Sequence, residues 1–73
     1  MINFDNLKAK IKKHAYDFDV KRIQLAFEFA AHAHEGQKRF SGEPYITHPI
    51  EVAIKVLDFY PDEDMVVAAL LHD

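Results

Sequence analysis

Apolar residues along this chain recur at spacings of three and four, the repeat of an amphipathic helix, and nowhere alternate convincingly as a strand would. Phe4, Leu7 and Ile11 form one stripe, which predicts a helix over about 4–14. Asp17 and Asp19 then offer side-chain acceptors for a second helix start. Between Val20 and His34, Val20, Ile23, Phe27, Ala30 and Ala31 share a face. Leu25 and Phe29 widen it, and that breadth predicts burial on more than one side. Gly36 suits the left-handed conformation used after helix C-termini.

Residues 37–47 read as a loop, with Ser41-Gly42 and Pro44 as turn formers. A third helix is expected to begin near His48-Pro49, because proline at the first helical position lacks an N–H that would be unpaired there anyway. Glu51 falls in its first turn, where the helix dipole favours a carboxylate. Ile50, Ala53, Ile54 and Leu57 form its inward face. Tyr60-Pro61 breaks the pattern. Asp62, Glu63 and Asp64 then open a fourth helix whose body, Met65 to Leu71, is apolar nearly all round and so requires neighbours on every side. The pattern predicts an all-α bundle of about four helices.

Seventy-three residues allow one small domain, which at this size buries only about 60% of its unfolded surface. The apolar share of 49% supplies a core, and with no cysteine neither disulfides nor thiolate metal sites arise. The formal charge of −3, with both signs interspersed, argues against a general grip on nucleic acid. Lys8, Lys10, Lys12 and Lys13 read as a solvated helix face. No run approaches the roughly 18 apolar residues of a membrane span, and the start lacks a secretory signal's apolar core. A soluble, cytoplasmic protein is expected.

The chemistry-bearing residues are histidines and one loop. His14 closes a lysine-rich helix, where a cation complements the dipole. His32 and His34 diverge by about 200° on a helix and cannot readily share one ion, so one should face inward to a hydrogen-bond partner and the other face water. His48 stands at a helix start and serves either as a cap or as a ligand. The doublet His72-Asp73 adds an imidazole and a carboxylate, a set suited with His48 to manganese, iron or zinc. Arg39 either grips a phosphate or base through its planar fork or pairs with Glu35 or Glu43. Ser41-Gly42 can offer backbone N–H groups to an anion, although the P-loop pattern is absent.

Three segments carry a resemblance: Ala33 to Arg39, Ser41 to Pro49, and Ala68 to Asp73. In order and spacing they resemble the RelA/SpoT-homologue family, in its HD hydrolase domain, over about residues 20–73. The resemblance implies an all-α HD-domain fold that removes the 3′-pyrophosphate from ppGpp and pppGpp with a manganese ion. It further implies that His48, His72 and Asp73 are metal ligands and that Arg39 and Ser41 contact the guanosine nucleotide. An acidic pair after the doublet and a downstream Asp ligand belong to the family pattern and are not among these residues. The chain is therefore expected to be the N-terminal part of a hydrolase domain, with no appreciable turnover on its own. Two other expectations stand beside this one: a non-catalytic fragment that self-associates through the apolar helix 64–72, or an HD-type phosphohydrolase for another nucleotide.

Overall fold

The computed structural model describes residues 2–72. Four helices occupy it in chain order: α1 (Phe4–Lys13), α2 (Val20–Ala33), α3 (Thr47–Phe59) and α4 (Glu63–Leu71). Among the described residues the only extended pairing is an isolated antiparallel bridge between Lys38 and Pro44. The architecture is the all-α bundle that the periodicity predicts.

Side chains start three of the helices by accepting the N–H groups a first turn leaves unpaired. Asn3 and Asn6 exchange side-chain and backbone bonds as a capping box at α1. Asp19 accepts from the Arg22 N–H at α2, and Asp62 from the Asp64 and Met65 N–H groups at α4. The α3 start differs from the expectation. It begins at Thr47 rather than at His48-Pro49, with no side-chain cap. The Thr47 and His48 N–H groups instead bond the Pro44 and Tyr45 carbonyls, at 3.1 and 2.9 Å, and Pro49 has no N–H to satisfy. This shift moves Glu51 out of the first turn.

One core joins the four helices: Phe4, Leu7 and Ile11 of α1, Ile23 and Ala26 of α2, Ile50, Ala53 and Leu57 of α3, and Val66, Ala69 and Leu70 of α4. Phe4 stacks on Phe27 with ring centroids 4.6 Å apart. Lys10 ties α1 to α3 by donating to the Asp58 carboxylate at 2.6 Å and the Ile54 carbonyl at 3.1 Å. Helix α4 packs on both α2 and α3. Leu25 and Phe29, expected to widen the buried face of α2, stay 59% and 71% exposed, because only the Ile23–Ala26–Ala30 side of α2, which packs on α4, is buried. On α4, Met65 and Leu71 are also exposed.

The helix starts of α2 and α4 are clamped together. Arg22 Nη1 donates to Glu63 Oε2 at 2.6 Å and Asp64 Oδ1 at 2.8 Å, and the Asp19 N–H donates to Glu63 Oε1 at 2.6 Å. The bond to Glu63, then that to Asp64, pushes the Arg22 guanidinium above its ordinary range. A raised basic pKa contributes at every pH below the unfolded value, so this clamp does not respond to pH near neutrality. No described helix is long and apolar enough to cross a membrane.

Helix α1 ends in a Schellman arrangement: Tyr16 N–H bonds the Ile11 carbonyl at 3.2 Å and Ala15 N–H bonds the Lys12 carbonyl at 3.1 Å. Ala15 holds the left-handed position at φ 54°, where a Cβ is strained. Ala15→Gly is expected to stabilise the fold by about 0.5–1 kcal/mol, since relief of that strain exceeds the entropy glycine adds to the unfolded chain. A denaturant midpoint that falls in this variant contradicts the assignment.

Candidate active site

Three helix ends converge at one end of the bundle. His34 caps the C-terminus of α2, His48 lies in the first turn of α3, and His72 caps the C-terminus of α4. Tyr45, from the loop before α3, completes a row of rings. The centroid separations are 4.6 Å from His34 to Tyr45, 5.8 Å from Tyr45 to His48 and 5.5 Å from His48 to His72. His72 is exposed and His48 half-buried, so the pair can be approached from solvent.

The backbone sets the His72 ring. Its Nδ1 lies within hydrogen-bond reach of the Ala69 carbonyl, 2.5 Å away, and a carbonyl can only accept. Nδ1 must therefore carry the proton, and the neutral ring places its lone pair on Nε2. A backbone carbonyl on one imidazole nitrogen is the usual way a metal-binding histidine is oriented for coordination through the other. His34 Nδ1 is similarly held, 2.9 Å from Gln37 Oε1. His32 is largely exposed, 3.5 Å from Glu35, so the two histidines separate as their spacing predicts. Asp73 lies outside the described residues. Among those described, no three His, Asp or Glu side chains come close enough to hold an ion.

The loop before α3 is drawn tight. Gln37 N–H bonds the His34 carbonyl at 2.9 Å, with Gly36 at φ 82° in the turn. Arg39 N–H bonds the Glu43 carbonyl at 2.7 Å, and Gly42 N–H returns to the Arg39 carbonyl at 2.8 Å with φ 94°. This folding carries Arg39 back onto α3. Its Nη1 donates to Glu51 Oε1 at 3.0 Å and to Thr47 Oγ1 at 3.3 Å, while Glu43 Oε2 stands 4.0 Å away. Of the two partners that proximity in the sequence suggests, Glu43 is paired at the longer distance, and Glu51 is the nearer carboxylate. Ser41 is exposed and donates to Glu43 Oε2 at 3.3 Å. Phe40 is fully exposed.

Sequence reasoning did not assign His34, Tyr45, Thr47 or Glu51 to this region. Tyr45 had one usable signal, a position three residues before His48 in a turn-rich segment. A cleft of about 540 Å³ opens elsewhere, lined by Lys8, Ile11, Lys12, Ala15, Tyr16 and Val20 among others. None of the ring-row residues lines it, and it gathers no imidazoles.

Comparison with known proteins bears on this region. The HD domain family matches residues 26–73. The bifunctional (p)ppGpp synthase/hydrolase SpoT of Escherichia coli is 44% identical over all 73 residues of this chain, which cover 10% of that protein. A guanosine-3′,5′-bis(diphosphate) 3′-pyrophosphohydrolase of Aquifex aeolicus is 48% identical over 58 residues, 80% of this chain and 8% of the relative. A GTP pyrophosphokinase rsh of Brucella melitensis is 37% identical over 67 residues, 92% of this chain and 9% of the relative. The chain thus spans about a tenth of the length of these relatives. No solved structure matches it significantly.

The carbonyl bond at His72 makes a direct prediction. Nitrogen-15 NMR of the neutral ring should show Nδ1 protonated and Nε2 unprotonated. The opposite tautomer contradicts the geometry.

Proposed function

The chain belongs to the HD domain family, and from that premise we propose that it forms part of a metal-dependent guanosine-3′,5′-bis(diphosphate) 3′-pyrophosphohydrolase. The approach of His48 and His72 carries this reading. Two imidazoles bound to one ion at about 2.1 Å stand with ring centroids roughly 5 Å apart, close to the 5.5 Å observed. The lone pair on His72 Nε2 has the polarity a cation needs. Asp73, next in sequence, is proposed as the third ligand, and manganese as the ion. A divalent ion held there supplies Lewis acidity and lowers the pKa of a water.

The chain's own residues then divide the work. His48 and His72 would fix the ion at the junction of α3 and α4. Arg39 and Ser41, on the tight loop, would bind the guanosine nucleotide. Arg39 has the planar fork that matches paired acceptor atoms, and Ser41 supplies a hydroxyl at the surface. Holding nucleotide and ion together supplies orientation, which contributes a large part of the acceleration in such sites. The mild charge and the absence of cysteine support a cytoplasmic setting.

Manganese titration of the chain, followed by loss of the free-ion paramagnetic signal, tests the site. His48→Ala and His72→Ala should each weaken binding at least about tenfold, a protein ligand counting for no less than its outer-shell support. His32→Ala should leave it unchanged. Equal affinity in all four proteins would sink the metal assignment.

A second reading follows from α4 itself. Met65 and Leu71, with Leu25 and Phe29 of α2, leave apolar side chains in water. That supports self-association through 64–72. Sedimentation in dilute solution should then show a species larger than 8.5 kDa that Leu71→Lys dissociates. A compact monomer at every concentration contradicts it.

A further inference from the structure

Arg39 is held by one corner. Every side-chain bond it makes among the described residues uses Nη1, to Glu51 at 3.0 Å and Thr47 at 3.3 Å. The side edge formed by Nε and Nη2 makes none. Guanidinium groups left mobile present no fixed edge; one pinned at a single nitrogen presents the remaining N–H pair in a set plane. The pin is itself rigid. Thr47 is 97% buried, with 3% exposure, and its hydroxyl donates to the Pro44 carbonyl at 2.9 Å. That leaves its oxygen lone pairs to accept from Arg39. Glu51 lies one turn further along the same helix, so the two anchors bracket His48 on α3.

We propose that Glu51 and Thr47 are positioning residues: they fix the Arg39 guanidinium so that its Nε–Nη2 edge meets two acceptor atoms of the bound nucleotide, at a set distance from His48. The inference rests on the nucleotide-binding role proposed above for Arg39. It assigns the site a preference for ligand groups with two coplanar or near-coplanar acceptors, such as two oxygens of one phosphate or the N7 and O6 atoms of a guanine.

The sign of the effect separates positioning from simple electrostatics. Removing a carboxylate from an anion site would by charge alone tighten anion binding. Removing a positioning group weakens it, because the ligand must then immobilise Arg39 itself, at about 0.5–1.5 kcal/mol for a flexible side chain, or roughly two- to tenfold in affinity.

The experiment measures binding of ppGpp and, separately, inorganic pyrophosphate to the chain by calorimetry. It also follows the Arg39 Nε–H signal by NMR. Glu51→Ala and Thr47→Val should each weaken ppGpp binding within that range and broaden or average the Arg39 signal. Glu51→Gln, which keeps an acceptor oxygen and preserves the fold should the alanine variant lose it, should fall between. In an Arg39→Ala background, Glu51→Ala should have no further effect, a non-additivity that a purely structural role would not produce. A parallel loss with pyrophosphate places the paired acceptors on phosphate; a loss confined to ppGpp places them on the base. Tighter ppGpp binding by Glu51→Ala, or an unchanged Arg39 signal, overturns the positioning role while Arg39→Ala still reports on the nucleotide reading. Indifference of ppGpp binding to Arg39→Ala overturns both.

Discussion

The arrangement depends on α4 lying against α2 and α3 at once. Val66 and Leu70 are nearly or wholly removed from water, and with Ala69 they join a core shared by all four helices. Hydrophobic burial has no direction of its own, so it does not fix how far α4 slides along its neighbours. The clamp from Arg22 to Glu63 and Asp64 supplies that axial setting by holding the starts of α2 and α4 together. Two helices that begin side by side carry their ends to the same region. His34 and His72 therefore finish near the start of α3, which brings His48.

That convergence also sorts the electrostatics. The C-terminal ends of α2 and α4 present carbonyls with partial negative charge, whereas the start of α3 presents the positive end of its dipole. A cation is favoured on one side of the junction and an anion on the other. Arg39, folded back on the α3 side, reinforces that division.

Much of this was legible in the sequence, for a physical reason. Phe4, Leu7 and Ile11, or Ile50, Ala53 and Leu57, announce their helices because burial enforces the helical repeat. Asp19 and Asp62 announce starts because few side chains can accept first-turn N–H groups. The misreadings arose where sequence distance stood in for spatial distance. Leu25 and Phe29 look like core by composition, but which flank of a helix is covered depends on partners arriving later in the chain. Arg39 does pair with Glu43, as its position in the sequence suggests, but the hairpin-like loop also returns it to the nearer Glu51, twelve residues on. Tyr45 does not stand out in the sequence, and His34 reads only as one of a diverging pair, because neither an aromatic nor a helix-capping histidine has a characteristic spacing when its neighbours come from other segments. The end of α1 near His14 is anticipated by the sequence, but the left-handed residue after it, Ala15, is not, because the usual glycine is absent there.

His48 and His72 are 24 residues apart, and α3, the Tyr60-Pro61 break and α4 all lie between them. Any species that bridges the two rings closes that stretch into a covalent-like ring of chain. Because such a species binds only where the fold has brought the rings together, it stabilises the fold by mass action, by about 2.7 kcal/mol at a hundredfold excess over its Kd. For so small a bundle that is a large share of its total stability. Occupancy of the junction and endurance of the fold are thus two faces of one equilibrium.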